Sequence, residues 1–145
     1  MPEVYRTTAV CTGDGRNGHS RTTDGMIDVD LATPKEQGGP GGATNPEQLF
    51  AAGYAGCFHS WLKVVARGEG ITLVGSEVAV SVGLIKEAGA FSLAATITAD
   101  LPGISPEQGE QLLAQPHQRC PYSKATRNNI DVQLVLGRGR ETAIR

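Results

Sequence analysis

The chain is predicted to fold as an α+β protein. Stretches of period-two alternation stand both before and after one long helical stretch. Helices do not alternate with strands one for one, and the order reads βββ–α–ββ–αα–β, with neighbouring strands expected antiparallel. The 145 residues suit one domain over 1–145 with a real core, ending in a solvated tail from about 137.

Val4 to Val10 mixes β-branched and aromatic residues and reads as the first strand. The turn GDGRNG and the returning HSRTTDG make it one arm of a hairpin. In MIDVDLA, Ile27, Val29 and Leu31 share one face and Asp28 and Asp30 the other, as in a half-buried strand. Thr33 to Pro46 holds four glycines and three prolines and is a loop. The long helix then runs from Pro46 to about Arg67. Asn45 can cap it, Pro46 fits the first position, and Gln48 can complete a capping box. Val78, Val80 and Val82 lie on one face of a strand, and Phe91, Leu93, Ala95 and Ile97 do the same on the next, with GLIKEAGA as the connection. Ser105 to Gln115 is a short helix with a capping serine. CPYSKATRNN opens another helical turn, and IDVQLVL closes as a strand.

Net charge is −2 and pI about 5.9, so nothing electrostatic favours nucleic acid or an anionic membrane as partner. No apolar run approaches the roughly 18 residues that span a bilayer. Met1-Pro2-Glu3 shows no leader pattern, so the expectation is a cytoplasmic protein whose three cysteines are free, catalytic or redox-cycling.

The helix carries Gly53, Gly56 and Cys57 at its centre. A cysteine inside a helix is ordinarily a small apolar filler. Each glycine, however, costs roughly 0.5–1 kcal/mol against alanine there, which suggests close approach of another backbone, a crossing helix or a ligand. The second thiol of interest, Cys120, is 63 residues away, so the spacing alone establishes no pair.

GGPGGATNPEQLFAAGYAGCF and RCPYSKATRNNIDVQLVL together resemble the organic hydroperoxide resistance (Ohr) branch of the OsmC superfamily, over nearly the whole chain. The resemblance implies an intertwined homodimer with long central helices wrapped by antiparallel-rich β-sheets. It implies a thiol-dependent peroxidase acting on alkyl and fatty-acid hydroperoxides, with no metal or bound cofactor. A dithiol, dihydrolipoamide or a lipoylated protein, would be the reductant. Carried over by motif, Cys57 corresponds to the peroxidatic cysteine, Cys120 to the resolving one, Arg16 to the active-site arginine and Glu47 to the carboxylate that holds it. Leu49, Phe50 and Phe58 would wall an apolar pocket. Gly56, His59 and Trp61 depart from the usual pattern. Within the superfamily the rival is an osmotically inducible peroxidase of broader specificity. Outside it, a redox sensor or a dimer with space-filling thiols competes.

The chemistry needs a thiolate. An unperturbed cysteine is only about 3% ionised at neutral pH, and an arginine lowering its pKa by about 2 raises this roughly 24-fold. Nucleophilicity falls with basicity and returns about 6- to 10-fold of that gain. Arginine therefore acts mainly on the transition state, where charge develops on the departing oxygen. Glu47 and Cys57 sit about 15 Å apart along one helix, so Glu47 is expected to serve the cysteine of a second subunit, the helices crossing near Gly53 and Gly56.

GDGRNG matches G-x-G-x-x-G but no helix follows, and GGPGG lacks the ending of a phosphate loop. His19, His59 and His117 match no zinc spacing and are expected at the surface or in packing roles. Cys11 is expected to be a structural thiol. Arg138, Arg140 and Arg145 form too short a basic tail to imply nucleic acid.

Overall fold

Residues 1–137 are described by a computed structural model of the chain. The expected tail, with its three arginines, lies outside the described residues apart from Gly137. Strands β1 (Ala9–Thr12), β2 (His19–Thr22) and β3 (Asp28–Asp30) precede helix α1 (Pro46–Gly68). Strands β4 (Glu77–Glu87) and β5 (Ala90–Asp100), helices α2 (Pro106–Arg119) and α3 (Pro121–Thr126), and strand β6 (Asp131–Leu136) follow. The order is the expected one. The contacts divide the chain into two compact units, Met1–Leu49 and Phe50–Arg145, with α1 starting in the first and continuing in the second.

In the first unit, β1, β2 and β3 form an antiparallel sheet in that order. The first strand is shorter than expected and starts at Ala9 rather than Val4. Ala9 pairs with Thr22, the last residue of β2, so the strand opposite has ended and only the Thr8 carbonyl still accepts, from Thr23 N–H. Val4 and Tyr5 are consequently exposed. The entry to α1 is capped by Asn45, whose Oδ1 accepts from Gln48 N–H at 2.9 Å. The expected reciprocal bond takes another route. Gln48 Oε1 accepts from the Thr44 hydroxyl at 2.7 Å, fastening the loop one residue before the cap.

In the second unit, α1 buries Tyr54, Phe58, Leu62, Val65 and Ala66, a stripe at helical spacing. They meet Ile97 and Ala99 of β5 and Leu112 and Leu113 of α2 in one apolar cluster that also holds Cys120. Each large side chain buried there contributes about 1.5–3 kcal/mol. Strands β4 and β5 are longer than expected. They run to the two-residue turn Ala88-Gly89, both at positive φ (52° and 81°), as tight hairpins require. Phe91 sits near that tip, 56% exposed rather than inward, with the Lys86 ammonium 5.7 Å from its ring centre.

Strand β6 pairs with β5 in parallel, Ile97 opposite Leu134, where antiparallel pairing was expected. The α2–α3 segment is the reason: a helical crossover returns the chain to the end of the sheet from which β5 began. Helix α2 also continues past Gln115 to Arg119 despite Pro116. Pro116 lies in the last turn, where its missing N–H removes a single bond, and its carbonyl still accepts from Cys120 N–H at 2.8 Å.

Candidate functional site

Two pairs of sequence-predicted residues are brought together, one in each unit. In the first, Arg16 stands on a 3-10 turn (Gly15–Asn17) between β1 and β2. Gly13 and Gly15 take positive φ in this turn, and a Cβ on Gly18 would lie 2.1 Å from the Thr12 carbonyl oxygen. Asn17 ties the turn to the loop before α1: its Oδ1 accepts from Thr33 N–H at 2.9 Å, and its Nδ2 donates to Thr33 Oγ1 at 3.1 Å. The Arg16 guanidinium then meets Glu47 fork to fork, Nη2 to Oε1 at 2.6 Å and Nη1 to Oε2 at 3.0 Å. Glu47 is the second residue of α1, where the positive helix end also favours a carboxylate. Hydrogen bonding to Arg16 holds the Glu47 carboxyl below its ordinary pKa, and Glu47 pushes Arg16 up. The Arg16 side chain is 47% exposed, so the pair adds little stability, and its two-pronged geometry fixes the direction of the fork.

In the second unit, Cys57 near the middle of α1 faces Cys120, the residue shared by the end of α2 and the start of α3. Their sulfurs are 3.3 Å apart and both thiols are free. Cys57 is half-buried and Cys120 fully buried. Burial pushes the Cys57 thiol above its ordinary pKa, the Cys120 thiol adds to this, and the Tyr122 backbone N–H opposes it. Gly53 is explained here. A Cβ at that position would come within 2.8 Å of the Tyr122 hydroxyl, so within the chain the close approach is by a phenol. Among the described residues, nothing beyond the helix's own backbone lies within 4 Å of a Cβ on Gly56.

Phe50, Tyr54 and Tyr122 form an aromatic group beside the sulfurs, with ring centres 5.6–6.2 Å apart. Phe50 and Leu49 are half-buried, whereas Phe58 is fully buried in the core. Phe58 can only back a pocket wall, because no substrate atom reaches a side chain with no exposure. Cys11, expected as a structural thiol, is exposed, its sulfur 3.7 Å from the Gly15 carbonyl. It lies on β1, where all four residues are exposed.

His19 is clamped between Asp28 and Asp30. His59 bonds Ser76, and His117 bonds Ser123. Among the described residues no cluster of three or more metal-binding side chains occurs. Burial holds His117 below its ordinary pKa, with Arg127 adding to the effect. Burial does the same to His59, where Lys63 adds and Glu77 opposes. Imidazoles kept neutral contribute stability that is present above the unfolded value of about 6.5 and lost as pH falls through the lowered folded value. His19, raised by Asp30 and then Asp28, works in the opposite sense. His117→Gln, whose side-chain oxygen can still accept from Ser123, is expected to flatten the fall in melting temperature between about pH 7 and pH 5. An unchanged slope would show that His117 does not titrate on unfolding.

Sequence reasoning missed Asn17 and the Tyr54–Ser123–Thr126 group. An amide beside the turn arginine was one available signal. Hydroxyls three residues from each cysteine, at Tyr54 and Ser123, were the other.

The fold is that of a class, the OsmC-like proteins, and residues 39–135 match the family of that description. The chain is 46% identical over 134 residues to organic hydroperoxide resistance protein-like 2 of Staphylococcus epidermidis, covering 90% of this chain and 94% of that one. It is 45% identical over 136 residues to the organic hydroperoxide resistance protein of Xanthomonas axonopodis pv. citri, covering 92% and 94%. The crystal structure of an organic hydroperoxide resistance protein from Legionella pneumophila superposes with a TM-score of 0.88 at 45% identity, covering 94% of this chain and all of that one. The chain therefore belongs to the OsmC-like family, in its organic hydroperoxide resistance branch.

Proposed function

We propose that the chain is a two-cysteine peroxidase that reduces organic hydroperoxides to alcohols, in defence against oxidative stress. The observation that carries this is the 3.3 Å approach of a half-buried sulfur to a buried one. The Cys57 thiolate attacks the outer peroxide oxygen, the O–O bond breaks, and the alkoxide takes a proton to leave as alcohol. Cys57 is left as a sulfenic acid, which Cys120 converts to a disulfide with release of water. A dithiol then restores both thiols and becomes a disulfide itself. A lipoyl group, free or protein-bound, suits this step because its two sulfurs close a ring.

Burial works against ionisation of Cys57, so a cation must compensate in the transition state. Arg16, aimed by Glu47, is that cation, and in a homodimer the Arg16–Glu47 pair of one subunit serves Cys57 of the other. Apolar walls from Leu49 and Phe50 favour alkyl and fatty-acid hydroperoxides over hydrogen peroxide. No metal or bound cofactor enters the cycle. Among the described residues no helix is long and apolar enough to cross a membrane.

The test is a steady-state assay with dihydrolipoamide, thioredoxin or glutathione as donor, and Cys57→Ser as the blank. Tert-butyl and fatty-acid hydroperoxides should be turned over at least about tenfold faster than hydrogen peroxide, a difference of ~1.4 kcal/mol in barrier. Dihydrolipoamide should be the best donor. A sensor would react once and stop, and either that result or a preference for hydrogen peroxide would overturn the reading.

A further inference from the structure

Tyr54 stands one turn of α1 before Cys57, and Ser123 one turn of α3 after Cys120. The spacings match, 57 − 54 = 3 and 123 − 120 = 3. The Tyr54 hydroxyl lies 2.8 Å from Ser123 Oγ and 3.0 Å from Thr126 Oγ1. Helix α1 is thus joined to the α2–α3 corner by two adjacent rungs, one of hydroxyls and one of sulfurs. The hydroxyl rung is sealed, with Tyr54 and Ser123 at 0% exposure and Thr126 at 5%. A buried phenol needs one partner, and this one has two.

The rung also reaches the other side of Cys120. Ser123 Oγ is 2.9 Å from His117 Nδ1, and Arg127 Nη1 donates to the His117 carbonyl at 2.7 Å. The Cys120 backbone is held at both ends, its N–H by Pro116 O and its carbonyl by Lys124 N–H. One consistent proton assignment runs from Tyr54 to Ser123 and from Ser123 to a neutral His117, with Thr126 donating to Tyr54. Every buried group in the chain of bonds is then satisfied.

We propose that Tyr54 is a positioning residue for closure of the disulfide: its hydroxyl, locked to Ser123 and Thr126, holds the Cys120 corner against α1 so that the second sulfur is already in place when the first is oxidised. This rests on the reading of Cys57 and Cys120 as the peroxide-reducing pair. In the step served, the Cys120 sulfur bonds to the Cys57 sulfur as the Cys57 S–O bond breaks. The leaving hydroxide takes the Cys120 proton and departs as water. The Cys57 sulfur is reduced from sulfenic to disulfide level and the Cys120 sulfur is oxidised to it. Preorganisation of this kind converts an encounter into a local rearrangement. It also limits the time in which a second peroxide can attack the sulfenic acid.

The test is Tyr54→Phe, which keeps the ring packed against Phe50 and Tyr122 and removes one oxygen. Oxidation of Cys57 by one equivalent of tert-butyl hydroperoxide should stay within about twofold of the wild-type rate, because that step does not use the lock. Disulfide closure, followed by quenching with a sulfenic-acid trap and mass spectrometry, should slow about tenfold, and sulfinic acid should accumulate. Equilibration of the two thiols with reduced and oxidised glutathione should show an effective thiol concentration lower by a similar factor. Ser123→Ala should shift the same readouts in the same direction, and it stands in if Tyr54→Phe fails to fold. Closure and glutathione equilibrium unchanged in the variants would overturn the proposal. So would a parallel slowing of oxidation and closure, the mark of a merely structural role. A wild-type protein that consumes no hydroperoxide, with variants that still differ in the glutathione equilibrium, would remove the peroxidase reading and leave the lock standing.

Discussion

Cys120→Ser should reduce one equivalent of organic hydroperoxide per subunit at nearly the wild-type rate and then stop. Of the two sulfurs, the proposed first step uses only that of Cys57, and the substitution changes an atom 3.3 Å away by replacing sulfur with oxygen. What is lost is the second step. The sulfenic acid at Cys57 then has no neighbouring thiol, and further peroxide drives it to the sulfinic acid, which small dithiols do not restore. Steady-state turnover with dihydrolipoamide should fall by at least about a hundredfold, while the rapid first phase survives, the separation that single-turnover kinetics resolves. A variant that cycles at the wild-type rate, or mass spectra of the parent protein lacking a Cys57–Cys120 disulfide after one equivalent, would remove Cys120 from the mechanism.

Arg16→Ala should lower the rate of hydroperoxide reduction about 10²- to 10³-fold, the usual consequence of removing one donor aimed at developing negative charge. The informative control is alkylation of Cys57 by iodoacetamide, which needs the thiolate but places no charge on a peroxide oxygen. If Arg16 worked by supplying thiolate, both rates would fall together. Alkylation is instead expected to change by only a few-fold, since a lowered pKa and a lowered nucleophilicity largely offset each other. Arg16→Lys should recover only part of the loss, because the two-pronged contact with Glu47 requires a guanidinium. The pair should survive mild acid. Arg16 depresses the Glu47 pKa, so its contribution is present above the unfolded carboxylate value of about 4.3 and is lost only as pH falls through the lower folded value. Mixed dimers of Arg16→Ala and Cys57→Ser chains test the subunit assignment. One composite site should regain activity if arginine and cysteine come from different subunits, and none should if they come from one.

Much of this was legible in the residues. Asn45-Pro46 announced the start of α1 because a capping amide and a proline at the first position both act within a few residues. The thiols at 57 and 120 were legible only through the motifs around them, since 63 residues of intervening chain carry no distance information by themselves. What escaped was set by tertiary pairing. The parallel placement of β6 depends on how the α2–α3 crossover packs, and the shortness of β1 depends on where β2 ends. The strain-bearing turn at Ala88-Gly89 was hidden because alanine at positive φ carries no local signal. Gly53 was singled out correctly as a point of close approach, and within the chain the side chain that approaches is Tyr122, 69 residues further along, which no periodicity reveals.

In the two-cysteine cycle proposed above, the unequal exposure of the two sulfurs would set a direction. With Cys120 at 0% exposure and Cys57 half-buried, an incoming donor thiol would be expected to strike the Cys57 half of the bridge. The transient adduct to the donor therefore forms there, and Cys120 departs into the interior as the leaving group. Electrons and oxidant would then both arrive at Cys57. On the same reading, a slender, flexible dithiol arm is expected to reach the half-buried Cys57 sulfur more readily than a bulky folded donor whose cysteines sit on a broad surface.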